Sequence, residues 1–441
     1  MAAGQFSGEG TDDMDYHGHG RGHMSSLAVG LMWAGIAISV AEIWAGSQLG
    51  EAGLVWGVVI ILAGHLLGGL VLSAAGCIGT RYGVMSMQST RLVLGNRGSA
   101  LPSLLNVVQL VGWATYMLAL SGDIGAAVGA GVGGVVASRV FWIVLIGAGT
   151  LAWSFLVGSR HLKWVHYGVV FGLLGLSVLL TWIALDGRHY PLAGPALRPL
   201  SAGRGMLLLD LVIAMPISWV PLIADYSRLA RRERGAFWGS FIGYGLASSW
   251  MYLIGLVVCL ASGSSDPATT LLELMGRLGL ALPAMVLVFA STITSDFPDI
   301  YSSACSLLNI DRRIKPAYTM WATGLLTIVL ALFLDRGTYE GFLVLIGTVF
   351  VPLFALVLAE YFVVRRQRLD GIDFETGAGL VFSRGFRPGG LVVWAIGSAV
   401  FLLARQAEFV LGGSISSFLV TAALHLAVAA WQRRSAAAKA V

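Results

Sequence analysis

Residues 209–228 read LDLVIAMPISWVPLIADYSR. The run is apolar and about as long as the 20 residues that a helix needs to cross a bilayer core. It nevertheless carries Pro216 and Pro221, with Ser218 and Trp219 between them. A proline removes a backbone donor and clashes with the carbonyl one turn back, and lipid offers no water to repair the damage. Irregular backbone at mid-membrane is tolerated where it lines a cavity. There the freed carbonyls can coordinate a cation and the half-helix ends can meet a polar ligand. The plainer alternative is a proline kink repaired by Ser218.

The chain around this stretch is 57% hydrophobic and 12% charged, about half the charged fraction of a soluble domain. Its mean hydropathy is +0.80. The composition predicts an all-α polytopic membrane protein. Twelve candidate spans lie over residues 26–47, 54–77, 104–127, 140–157, 164–185, 206–224, 237–262, 280–308, 317–334, 342–364, 391–404 and 414–431. With a cytoplasmic N-terminus, most of the 28 lysines and arginines fall in inner segments. Examples are Arg81, Arg91 and Arg97 after span two, Arg228 to Arg234 after span six, and Arg312, Arg313 and Lys315 after span eight. This bias orients membrane proteins. It predicts a multi-pass protein of the inner (plasma) membrane with both termini cytoplasmic.

The same distribution accounts for the net charge of +5 without nucleic acid as a partner. Cys77, Cys259 and Cys305 lie in apolar spans, an odd set without metal spacing, and read as packing thiols. The polar first 25 residues show no cleavable signal peptide. Their His17, His19 and His23 read as part of a disordered tail rather than a metal site. No P-loop, no Gly-x-Ser-x-Gly and no Cys-x-x-Cys is present, which argues against an enzyme or an ATP-driven pump. No cofactor and no obligate protein partner is expected.

Polar residues placed in lipid cost free energy and therefore mark function. In span one, GLMWAGIAISVAEIWAGSQLG, Gly35, Ser39, Glu42 and Gly46 interrupt the apolar run. Spans one and six correspond if ten helices form two repeats of five. Interrupted spans in matching positions point to a transporter binding site. Span eight, VFASTITSDFPDIYSSACS, gathers Thr294, Ser295, Asp296, Asp299 and Tyr301 around Pro298. Span-one carbonyls facing span-eight hydroxyls would make a sodium site; helix–helix glue by Ser and Thr is the alternative. In span three, Gln109 and Trp113 are four residues apart and share a face. An indole plane beside an amide suits a flat heteroaromatic ring, with Trp219 as the opposite wall; core packing would explain the pair equally well.

The stretches GIAISVAEIWAGSQLG, GHLLGGLVLSAAGCIGTRYGVMSM, LPSLLNVVQLVGWATYMLALSG, AMPISWVPLIADYSRLAR and STITSDFPDIYSSACSLLNI resemble the nucleobase:cation symporter-1 family. The likeness is strongest to its branch of hydroxymethylpyrimidine transporters, with cytosine permease a near relative. The resemblance implies a LeuT-like fold of five plus five inverted helices, with helices one and six broken and two further helices. It also implies sodium- or proton-coupled uptake of a nucleobase-like ring. Carried over by position, Trp113 would stack on the substrate. Carbonyls of Gly35 and Ile38 with hydroxyls of Thr294 and Ser295 would hold sodium. Trp219 is shifted by about one turn from the family's position, and Glu42 and Asp299 stand where amides are usual.

The reading therefore divides the chain into a tail (1–25), a transporter core (26–364), a cytoplasmic loop (365–389), two accessory spans (390–432) and a tail (433–441). The expected substrate-site residues are Trp113, Gln109, Ser39, Glu42, Ser218, Trp219 and Asp299. The expected function is symport of a small heterocycle, hydroxymethylpyrimidine for thiamin salvage. The alternatives are another nucleobase permease or a passive facilitator or channel.

Overall fold

Apolar runs of membrane length become helices because a helix satisfies its own backbone in lipid. The computed structural model describes residues 22–156, 163–185, 198–264, 278–334, 339–374, 376–380 and 382–439, with 266, 270, 272, 275 and 276. His17 and His19 lie outside the described residues. Span one is split into Ser26–Ala37 and Val40–Ser47, and the two halves meet at 61°. Among the described residues, eleven further helices are long and apolar enough to cross a membrane. They are span two (Gly53–Tyr82), three (Ala100–Gly129), four (Arg139–Leu156), five (Lys163–Leu185), six (Ala202–Ser218 and Val220–Ser227) and seven (Glu233–Ser262). Eight (Ala281–Ile310), nine (Pro316–Phe333), ten (Tyr339–Leu358), eleven (Pro388–Gln406) and twelve (Gly412–Lys439) complete the bundle. Span ten continues through a π-helical turn, Ala359–Val364.

The bundle is apolar outside and polar inside. Leu66, Val108, Leu246, Leu325 and Phe333 are exposed, while Glu42, Asp210, Asp299 and Glu360 are buried. Spans one and seven touch backbone to backbone. A β-carbon at Gly46 or Gly255 would collide with the carbonyl oxygen of Tyr252 or Ile43, and one at Gly243 with that of Gly30. Small residues permit this approach.

The basic loops meet at one end of the bundle. His23 and Met24 N–H groups donate to the Leu229 carbonyl, both at 2.8 Å. On the short helix Arg91–Leu94, Arg91 donates to the Asn309 side chain (2.7 Å) and carbonyl (2.8 Å) at the end of span eight, and to the Phe374 carbonyl (2.6 Å). Burial, with Arg312 adding repulsion, lowers its guanidinium to about 10, still charged at neutral pH. Nearby, Glu360 accepts from Arg365 (2.8 Å), faces His425 of span twelve at 2.8 Å, and pairs with Arg387 at 3.2 Å. The expected loop 365–389 is thus docked on the bundle. At the opposite end, Asp210 of span six accepts the N–H groups of Gly413 (2.7 Å) and Ser414 (2.8 Å). It caps span twelve, whose N-terminal donors have no helical acceptors.

Candidate substrate and cation site

The two prolines of span six act differently from the expectation. The helix is interrupted only at Trp219, whose backbone remains in the right-handed helical region at φ −87° and ψ −14°. A β-carbon at Gly68 would overlap the Pro216 ring, which therefore fills a notch in span two. Span three ties down two carbonyls at the interruption. Gln109 Nε2 donates to the Ser218 carbonyl (2.8 Å) and Asn106 Nδ2 to the Pro221 carbonyl (3.3 Å). The Ser218 hydroxyl donates to the Met215 carbonyl at 2.6 Å. Span six therefore offers a ligand less free backbone than its sequence suggested. Gln109 and Ser218 hold each other and are not part of the cavity wall. The second of these amides, Asn106, was signalled only by its place one turn before Gln109.

Span one carries the real break. Ile38 leaves the helix at φ −79° and ψ 85°, and Ser39 restarts it as an N-cap, its hydroxyl accepting the Glu42 N–H at 3.3 Å. A helix ending at Ala37 leaves its last carbonyls without helical donors. The Ile36 carbonyl accepts from the Ser295 hydroxyl at 3.1 Å, so span eight meets the break through the expected residue. Thr294 is engaged within its own helix, donating to the Ala290 and Ser291 carbonyls, both at 3.0 Å. Gly35 abuts Val170 of span five. Among the described residues no group of three or more His, Cys, Asp or Glu could hold a metal ion.

Against the break lies a cavity lined by Ile36, Ser39, Glu42, Trp113, Trp219 and Asp299, with Ala41, Met117, Met215 and Ser295. The structure thus brings together Ser39, Glu42, Trp113, Trp219 and Asp299. The space open to the centres of water-sized spheres is ≈ 20 Å³, room for about one or two waters. A heterocyclic ring would fit only if the walls parted. Aromatic side chains close the route towards the basic end. Trp33 meets Trp219 and Tyr226 edge-on at 6.0 and 6.3 Å, and Tyr226 packs on Tyr301 at 5.4 Å. Arg228 donates to the Tyr301 hydroxyl at 3.1 Å. Phe342 of span ten packs edge-on against Trp113 at 5.4 Å.

Glu42 belongs to a chain that the sequence did not reveal. Its Oε1 accepts from the Tyr244 hydroxyl (3.0 Å) and its Oε2 lies 2.8 Å from Ser248 Oγ. Ser248 Oγ lies 2.5 Å from His65 Nε2, and His65 Nδ1 is 2.8 Å from the Ile61 carbonyl. Across the cavity, Asp299 Oδ1 has no hydrogen-bond partner among the described residues.

A split first span, a cavity at its break that two carboxylates face and a cage of apolar helices fit a membrane transporter of inverted-repeat type. The family model for permeases for cytosine/purines, uracil, thiamine and allantoin matches residues 23–431, and the chain belongs to that family. It is 27% identical over 345 residues to cytosine permease of Escherichia coli (strain K12), covering 77% of this chain and 78% of that protein. It is 23% identical over 432 residues to hydantoin permease of Microbacterium maritypicum, covering 92% and 86%. The fold is that of Mhp1, a nucleobase-cation-symport-1 transporter, in a closed conformation with bromovinylhydantoin bound. The TM-score is 0.80 at 20% identity, over 94% of both chains. A Na+-coupled sialic acid symporter also matches, with TM-score 0.66 at 14% identity over 93% and 91%. These relatives are permeases and symporters, not enzymes.

Proposed function

We propose that the chain is a cation-coupled importer of a small planar nitrogen heterocycle, with hydroxymethylpyrimidine as substrate. One observation carries this reading: two indoles, Trp113 and Trp219, and two carboxylates, Glu42 and Asp299, face one cavity beside the span-one break. Indole faces stack on a flat ring, and a carboxylate oxygen without a partner, Asp299 Oδ1, accepts from an exocyclic amino group. The permease relatives support the substrate class; the pyrimidine itself rests on the sequence resemblance. Carbonyls at Gly35 and Ile38 with the hydroxyls of Thr294 and Ser295 would bind sodium once Thr294 turns from its helix and Ser295 releases Ile36.

The transporter would sit in the inner membrane with both termini cytoplasmic, as the basic loops gathered at one end support. Access would alternate as the walls around the cavity rock apart. The test is uptake of labelled pyrimidines and purines into proteoliposomes under a sodium gradient, a proton gradient or neither. Accumulation of one ring under a gradient is the expected result. Equilibration without accumulation would make the protein a facilitator, and transport of cytosine alone would replace hydroxymethylpyrimidine as the substrate.

A further inference from the structure

The hydrogens of the Glu42 chain can be counted. Its three contacts are Ile61 O to His65 Nδ1, His65 Nε2 to Ser248 Oγ, and Ser248 Oγ to Glu42 Oε2. Each contact needs one hydrogen. A carbonyl only accepts, so Nδ1 must carry a hydrogen. A neutral imidazole supplies one hydrogen, the serine hydroxyl supplies one, and an ionised carboxylate supplies none. The Tyr244 hydroxyl spends its own hydrogen on Oε1. Three contacts and two hydrogens leave the chain one proton short.

With one more proton two arrangements close it. In the first, His65 is an imidazolium: Nε2–H donates to Ser248, and Ser248 O–H donates to an ionised Glu42. In the second, Glu42 is a neutral acid: Oε2–H donates to Ser248, and Ser248 O–H donates to Nε2. They interconvert by two short proton hops, with no heavy atom exchanged. When the extra proton leaves from Oε2 into the cavity, one contact breaks and a carboxylate charge remains inside the membrane, which is costly.

We propose that Glu42, Ser248 and His65 form a relay that holds one exchangeable proton against the substrate cavity, and that this proton travels with the substrate. The proposal rests on the reading of that cavity as the substrate site. The titratable groups facing the relay are Tyr244 and Tyr252 from span seven, the latter edge-on to His65 at 4.9 Å, and Asp299 of span eight across the cavity. Tyr116 of span three lies behind Trp44, two residues on from Glu42, at 5.9 Å. No ion pair among the described residues joins Glu42 or His65 to a lysine or arginine. The relay is therefore neutral when loaded and negative when empty.

The test has two parts. Infrared difference spectra of the purified full-length protein against E42Q, at neutral pH, should show a protonated carboxyl or an imidazolium that the variant lacks. An ionised Glu42 beside a neutral His65 would overturn the relay, whatever the substrate. In proteoliposomes with equal sodium on both sides, labelled cytosine and hydroxymethylpyrimidine serve as probes. An inside-alkaline gradient of one pH unit should drive up to about tenfold accumulation at one proton per substrate. H65Q, whose amide can donate both hydrogens but cannot carry the extra proton, should lose gradient-driven accumulation about tenfold more than counterflow exchange. Accumulation indifferent to the pH gradient in the unaltered protein would overturn proton co-transport. Failure of both probes to bind would instead overturn the substrate reading, leaving the proton itself to be decided by the spectra.

Discussion

Glu42 and Glu360 are both buried, at 3% and 2% exposure, yet their surroundings differ in kind. Glu360 is held by two cations, Arg365 and Arg387 of the loop after span ten, with His425 of span twelve at hydrogen-bond distance. Glu42 meets only the hydroxyls of Tyr244 and Ser248, with one imidazole beyond. A carboxylate fully matched by cations is a fastening, because losing it strands buried positive charge. A carboxyl held only by hydroxyls, beside a cavity, is free to change its charge. The contrast makes Glu360 a fastening of the bundle and sets it apart from Glu42, the residue proposed for transport.

That contrast can be broken by substitutions read out in stability and in binding. Glu360→Gln should produce the largest effect, destabilising the protein by about 3–5 kcal/mol through its unpaired cations, seen as a large fall in Tm in detergent. A Tm that stays put would remove Glu360's structural role. Trp113→Ala should weaken heterocycle binding by about 2 kcal/mol while membrane-inserted, folded protein is retained; titration calorimetry with unchanged affinity would take Trp113 out of the site. Joint Thr294→Ala and Ser295→Ala should weaken sodium dependence by about 1 kcal/mol, measured as the sodium concentration for half-maximal uptake, more than substrate affinity at saturating sodium. No movement in either quantity would place the cation elsewhere or make it a proton. His425→Gln should be mildest, below about 1 kcal/mol in stability, since an amide still donates to Glu360; a loss as large as that of Glu360→Gln would mean that His425 contributes a needed positive charge.

The helices and the gathering of basic loops at one end were legible because hydropathy and charge placement act locally along the chain. The break in span one was legible too: Gly35 and Ser39 flank a helix end at Ala37 and a restart capped by Ser39. Span six misled for a physical reason. Pro216 and Pro221 mark lost donors, but the sequence does not show that Gly68 receives one ring or that Asn106 and Gln109 reach the Pro221 and Ser218 carbonyls from span three. Gln109, expected at the substrate, donates to the Ser218 carbonyl of span six. The Glu42 chain was illegible because Ser248, which joins its members, lies 183 residues from His65 and 206 from Glu42. A lone His65 on an apolar helix carries no signal until span seven lies beside it.

The glycine seam between spans one and seven bears on how such a machine can move. Backbones in contact at Gly243, Gly46 and Gly255 leave no slack for one helix to slide along the other, so the pair behaves as one stiff strut. Glu42 rides on one side of that strut, Tyr244 and Ser248 on the other. As the cavity opens first to one face of the membrane and then to the other, the proton's address would stay fixed while only its doorway changes.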